Sequence, residues 1–186
     1  MTAFGKGLAG LGLVTVVPEA IASDARSDLW DQLGLPQAWL ERDARMARAY
    51  ADYVNRINLR NMTVEQVLRP HFNSRGSVRN ELPPLEMWRS IVMPLRIADA
   101  VAGRFKKRVR AVTSVYRSPQ YNRACRGARN SYHQRNLALD VQIEGVAPRM
   151  VAAAARQYRS AGYFKGGIGT YSTFVHIDCR GTNVDF

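Results

Sequence analysis

The chain has 186 residues, of which 46% are hydrophobic, with three Trp, eight Tyr and six Phe, the composition of a globular protein with a real core. Its formal net charge is +12, and 23 of its 27 basic residues are Arg, a balance that favours anionic partners: nucleic acid, anionic lipid or an anionic wall polymer. The only dense basic run, residues 104–110, carries no helix-turn-helix, zinc-finger or RNA-binding signature, so it reads as a solvated face and no specific nucleic-acid partner is expected.

At the N-terminus, Lys6 precedes an apolar stretch over residues 7–17, then Ala20-Ile21-Ala22 and polar Ser23-Asp24. That is the order of a secretory signal, so residues 1–23 are expected to be a signal-like or disordered segment, and the protein exported to the periplasm or cell envelope. A loosely packed arm is the alternative. The stretch is too short to span a bilayer, and no other segment qualifies. Residues 24–80 read as a helical N-terminal extension and residues 81–186 as the domain that carries the chemistry.

Leu40, Ala44, Ala47, Tyr50, Val54 and Ile57 recur at three- and four-residue steps, which predicts a helix over 38–57. Thr63-Val64-Glu65-Gln66 has the form of a capping box opening a short helix through Leu68. Residues 70–82, with Pro70, Gly76 and Asn80, read as a loop. Pro83-Pro84 open a helix whose apolar stripe is Leu85, Trp88, Val92 and Leu95; Pro94 should kink it and Gly103 end it. Trp88 reads as a core anchor. A strand follows over 109–116, then Ser118 as N-cap with Pro119 at the first helical position. Residues 137–143 alternate as a strand. Ala147-Pro148 open an alanine-rich helix ending at Gly162, and residues 166–171 and 173–179 form a closing hairpin. The fold class is α+β, with N-terminal helices packed on a small, mostly antiparallel sheet.

Two of the three histidines fall in Ser131-Tyr132-His133-Gln134-Arg135-Asn136-Leu137-Ala138-Leu139-Asp140 and Phe174-Val175-His176-Ile177-Asp178. Two imidazoles and one carboxylate, His133, His176 and Asp140, make a three-ligand set that leaves zinc one open position. Strand alternation puts His176 and Asp178 on one face, opposite Val175 and Ile177. Likewise Asp140 lies opposite Leu139 and Val141. Charged groups beside such apolar neighbours need partners, and a metal is one. Between His133 and Asp140 the chain must turn sharply, and Asn136 tolerates left-handed backbone there. His71 lies outside both segments and reads as structural or surface.

In these segments the chain resembles the zinc D-alanyl-D-alanine carboxypeptidases and related peptidoglycan endopeptidases, whose fold is shared with hedgehog signalling domains. The family's S-x-H-x-x-G-x-A-x-D is matched by Ser131, His133, Ala138 and Asp140. One bacterial branch's G-G-x-G-x-Y…F-V-H-x-D ending is similar to Gly166–Tyr171 with Phe174–Asp178, and its Y-R-S-P-x-x-N turn to Tyr116–Pro119 with Asn122. Its upstream helix is similar to Glu81–Pro84 with Trp88. The resemblance covers roughly residues 80–180. It implies Zn2+ on His133, Asp140 and His176, and hydrolysis of amide bonds in peptidoglycan peptide stems or cross-links, of D,D-carboxypeptidase or endopeptidase type. It further implies Arg117 as a contact to substrate carboxylate or oxyanion, and Ser131 and Tyr171 as substrate-binding. Ser131 could equally cap its loop, and Tyr171 could simply be buried.

Two positions depart from the pattern. Asn136 replaces a Gly, and Thr173 stands where many members carry a catalytic acid three residues before the last His. Asp178 is the nearest carboxylate, and two roles stand open for it: proton acceptor, or orienting partner of His176. Glu144 reads as solvated. The missing acid sustains an alternative, a non-catalytic zinc-containing domain that binds cell wall or protein. Cys125 and Cys179 make no CxxC; if exported, they are a candidate disulfide contributing about 4 kcal/mol in the chain-entropy model, and otherwise two small buried apolar residues. Nothing in the sequence speaks to oligomeric state.

Overall fold

The computed structural model describes residues 37–186, with side chains from residue 44 onward. The signal-like reading of residues 1–23 lies outside the described residues. Helix α1, Gln37–Asn55, presents Ala47, Tyr50, Ala51 and Val54 to the core at the expected three- and four-residue steps. Asn58, in the left-handed region at φ 59°, follows its last turn. Thr63 and Gln66 close a full capping box on α2, Val64–Leu68: each side chain accepts from the other's backbone N–H, at 3.2 and 3.0 Å.

The segment expected to be a loop holds more structure than its polarity suggests. A 3-10 turn spans Arg69–Phe72, and Gly76, at φ +57°, sits in a two-residue turn between β1, Ser74–Arg75, and β2, Val78–Arg79. Strands of two residues are too short to show a period.

The stretch after Pro84 begins as a 3-10 helix, Leu85–Ile91, and becomes α3 over Val92–Arg104. Pro94 falls in the first turn of α3, where a missing N–H leaves no helical bond unmade, so it ends nothing. Gly103 lies inside α3, and Lys106 at φ 53° follows the helix end. A Cβ on Gly103 would come within 3.0 Å of the Asn61 amide, so close packing asks for glycine here. Trp88 is the core anchor expected: its ring lies 5.0 Å from that of Tyr50 and 5.4 Å from that of Tyr53, and Nε1 donates to the Pro83 carbonyl at 3.0 Å.

Five strands build the main sheet in the order β3-β4-β6-β5-β7: β3 Val109–Ser114, β4 Ala138–Ile143, β5 Gly167–Thr170, β6 Val175–Asp178 and β7 Val184–Asp185. All neighbours are antiparallel except β5 and β7. A short helix α4, Pro119–Ala124, leaves β3, and α5, Pro148–Ser160, lies with α3 against the sheet. Leu139, Val141, Val175 and Ile177 supply the sheet's share of the core, with Leu95, Val101 and Val151 from the helices. Each such buried side chain contributes on the order of 1.5–3 kcal/mol. The architecture is α+β.

Candidate metal centre and substrate cleft

The register of β4 and β6 makes the site. Asp140 is paired directly with His176, and Ala138 with Asp178, so the polar residues of the two strands meet on one face while Leu139–Ile177 and Val141–Val175 meet on the other. His133 arrives from a 3-10 turn, Tyr132–Arg135, whose start is capped by Ser131 Oγ accepting from the His133 N–H. Asn136 then reverses the chain in left-handed geometry, φ 53° and ψ 32°, and its Nδ2 donates to the Met87 carbonyl at 3.0 Å. A glycine would make the turn but not that tie.

Three atoms converge. His133 Nε2 lies 3.2 Å from Asp140 Oδ1 and 3.2 Å from His176 Nδ1, and His176 Nδ1 lies 2.9 Å from the same oxygen. All three residues are buried. Each imidazole has an outer partner that accepts a ring N–H, while His176 also has Asp140 Oδ1 at the same 2.9 Å from its inner nitrogen. His133 Nδ1–H donates to the Val115 carbonyl at 2.6 Å, and His176 Nε2–H to Asp178 Oδ2 at 2.9 Å. With both rings neutral and those outer bonds made, the inner nitrogens face a carboxylate oxygen as acceptors. Three acceptors in mutual contact repel unless a proton or a metal cation sits among them. Tetrahedral zinc, bound to N and O at about 2.0–2.1 Å, has ligand atoms about 3.3 Å apart. The donor set and its spacing fit zinc.

Each ligand is held from behind. Asp140 Oδ2 accepts from Arg117 Nη2 at 2.9 Å, and Arg117 Nε donates to Ser114 Oγ at 2.6 Å. Burial alone would raise the Asp140 carboxyl, but the two imidazoles outweigh it and hold the group well below the usual carboxylate range. Burial lowers His133, whereas His176 is raised because Asp140 and Asp178 overcome its burial. Asp178 is fully buried; Arg180, His176 and the Gly167 N–H more than offset that burial and keep it ionised. Its Oδ1 accepts from Gly167 N at 2.9 Å, Arg180 N at 3.1 Å and Arg180 Nε at 2.8 Å, while Oδ2 takes His176 and the Arg180 Nη2. A Cβ on Gly167 would lie 2.4 Å from Asp178 Oδ2, so only glycine leaves room for this cluster.

The metal face opens into a cleft of about 430 Å³. Arg117, Ser131, Tyr171, His133, Asp140 and His176 all line it, so most of the expected site residues come together. Asp178 stands behind His176 and is not among the lining residues. Thr173 borders a different hollow, beside Arg110 and Gln142. Glu144 is exposed. His71 is fully buried near Tyr50, away from the cleft. Cys125 and Cys179 are both free thiols rather than a disulfide. Cys125 lines the cleft and Cys179 does not; burial and the adjacent Asp178 push the Cys179 thiol up to about 12.

Arg180, Phe186 and Asn80 were not anticipated from the sequence, and Phe174, part of the second motif, gains a specific role. Arg180 clamps Asp178 and stacks 4.3 Å from the centre of the Tyr132 ring. Phe174 stacks on Tyr171 at 4.4 Å, and Phe186 lies 5.4 Å from the His176 ring over Gly169. Asn80 is a buried hub, accepting from Ser118 N and donating to the Tyr116 and Pro70 carbonyls. For Arg180 the signal was available: a cation two residues beyond a buried Asp.

Comparison with known proteins agrees with this geometry. A family model described as Peptidase M15 matches residues 57–178. The chain belongs to the peptidase M15 family. It is 31% identical over 134 residues to the peptidoglycan L,D-endopeptidase MepK of Escherichia coli K12, covering 62% of this chain and 71% of that protein, and equally similar to the proteins of that name from E. coli O157:H7 and Shigella flexneri. No solved structure gives a significant match. Among the described residues no helix is long and apolar enough to cross a membrane.

Proposed function

We propose that this protein is a zinc-dependent peptidase that cleaves amide bonds in the peptide cross-links or stems of peptidoglycan. The observation that carries the reading is the convergence of two imidazoles, each held from behind by an outer partner, and one carboxylate, within 3.2 Å of one another, lining a cleft. His133, Asp140 and His176 would hold the ion. Bound there, zinc supplies a Lewis acid that activates water and polarises the scissile carbonyl. Arg117 fixes the Asp140 carboxylate with Nη2, and its Nη1 makes no bond among the described residues, leaving it for a substrate carboxylate or the developing oxyanion. Asp178 acts as the orienting partner of His176, because its oxygens are already filled by donors. Ser131 and Tyr171 line the path of the peptide.

The name of the MepK relatives supports an endopeptidase of L,D type over the D,D type that the motif resemblance suggests. Residues 1–23 would serve as the export signal of an envelope enzyme, 24–80 as a supporting extension and 81–186 as the peptidase domain. A second reading, a zinc-holding domain that binds wall fragments without cutting them, draws on one observation: Asp140 is the only carboxylate among the cleft-lining residues.

The test is digestion of purified peptidoglycan by zinc-loaded protein, with products weighed by mass spectrometry. Chelator-treated protein and His176→Ala serve as controls. Zinc-dependent loss of cross-linked dimers is expected, and dimers of defined D,D or L,D linkage separate the two types. Absence of any product from protein holding one zinc equivalent would favour the binding domain.

A further inference from the structure

Helix α4 ends in a Schellman turn on the rim of the cleft. Gly127 N–H donates to the Asn122 carbonyl and Arg126 N–H to the Arg123 carbonyl, each at 2.9 Å. The residue at the left-handed position of such a turn is usually glycine, because a Cβ is disfavoured there. Here it is Arg126, at φ 54°, while the glycine stands one position later. The turn is held firmly. Asn122 Nδ2 donates to the Ala128 carbonyl at 3.0 Å, and Ser131 N–H donates to the same carbonyl at 3.1 Å. A Cβ on Gly127 would strike the Asn122 side chain at 2.2 Å, so this backbone has little freedom to relax.

Arg126 is exposed and lines the cleft. The other two cleft arginines are occupied: Arg117 by Asp140 and Arg180 by Asp178. Arg126 has no carboxylate partner among the described residues. Of the four non-glycine residues at positive φ among the described residues, Arg126 is the one that lines the cleft. A long, planar, bidentate donor on a rigid base suits a carboxylate.

We propose that Arg126 is a specificity residue, binding a free carboxylate of the peptide substrate that lies beside the bond presented to the metal. This rests on the peptidase reading for the identity of the substrate, but not for the binding. The cleft would then discriminate carboxylate from carboxamide at that one position, and Arg126 would be the discriminator.

The experiment uses zinc-loaded full chain and a set of synthetic cross-linked stem peptides: all carboxylates free, the terminal carboxylate amidated, or the side-chain carboxylate amidated. Kd is read by calorimetry and KM and kcat by product formation, for wild type, Arg126→Gly and Arg126→Lys. Wild type is expected to bind one amidated peptide about ten- to a hundredfold more weakly than the free form, which also identifies the carboxylate recognised. Arg126→Gly should erase that ratio through KM and Kd with kcat little changed, and Arg126→Lys should restore part of it. Glycine suits the backbone, so Tm should stay at or above that of wild type, whereas a merely structural arginine would lower it. Equal binding of all peptides by wild type, or the same ratio in Arg126→Gly, overturns the proposal while cleavage leaves the peptidase reading standing. Discrimination that depends on Arg126 without any cleavage does the reverse, and no binding at all overturns both.

Discussion

Asp178→Asn separates an orienting role from a proton-accepting one. The substitution keeps the shape of the side chain but turns one oxygen into an NH2. In one orientation the NH2 faces the N–H groups of Gly167 and Arg180, which now sit 2.8–3.1 Å from Oδ1. In the other it faces His176 Nε2–H, now 2.9 Å from Oδ2. Either way donors meet donors. The ring of His176 loses a firm anchor, and loss of such an outer partner typically costs 10- to 100-fold in metal affinity, about 1.4–2.7 kcal/mol. Arg180, 18% exposed at its side chain, also loses its carboxylate, for a further stability loss on the order of 1–3 kcal/mol. Zinc affinity is measured by competition with a chromophoric chelator, and turnover at saturating zinc. The expected variant binds zinc more weakly but regains most of its turnover when the metal is saturating. Unchanged zinc affinity with turnover still lost by about 10²–10⁴ would refute this argument and make Asp178 the proton acceptor.

The two glycines of β5 should behave differently. Gly167→Ala drives a methyl into Asp178 and Arg180, so zinc affinity should fall as in Asp178→Asn; Gly169→Ala meets Phe186 at 2.5 Å, so it should raise KM with zinc affinity intact. Equal effects on zinc would contradict this. His71 gives a pH signature. Burial lowers it to about 4, against about 6.5 unfolded, so the unfolded chain binds more protons between these values. Its stability contribution is full above pH 6.5 and falls by about 3 kcal/mol as pH drops toward 4. Urea titrations of His71→Leu should show a flatter pH dependence than wild type; parallel curves would remove His71 as the cause. Chelation should lower Tm, because it removes a ligand that binds the folded site, and free zinc at 100 times its Kd should add about 2.7 kcal/mol. A Tm indifferent to zinc would count against the site.

The fold elements that could be read in advance were those whose signal is local. The Thr63–Gln66 capping box, Ser118-Pro119 and the left-handed Asn136 each depend on a few neighbouring residues, and each forms as expected. The shared polar face of Asp140 and of His176 with Asp178 could be read because strand alternation fixes a face without knowledge of the partner strand, whereas His133 comes from a turn that alternation does not reach. What could not be read depends on tertiary approach. Gly103 looked like a helix end but answers to Asn61, and Asn80 in an apparent loop is a buried hub between distant carbonyls. The two possible roles of Asp178 could be weighed only once Gly167 and Arg180 were seen to crowd its oxygens, because nothing in the spacing counts lone pairs.

The site also gives the excess of arginine a specific use. Each carboxylate of the candidate metal centre has its own guanidinium: Asp140 has Arg117, and Asp178 has Arg180. Lysine would neutralise the charge but could not span two acceptors with a planar fork, as Arg117 does between Asp140 and Ser114. These pairs cancel, so what remains in the cleft when the ion is bound is the divalent charge itself and the unpaired Arg126. A cleft with that balance attracts anionic peptides and repels cationic ones, and walls of low dielectric focus the field. The dispersed surface charge can hold the protein near an anionic polymer, but it decays over about 10 Å at 0.1 M salt. Selection among substrates therefore falls to the few charges inside the cleft, and raising salt should weaken retention on the polymer well before it weakens discrimination between carboxylate and carboxamide.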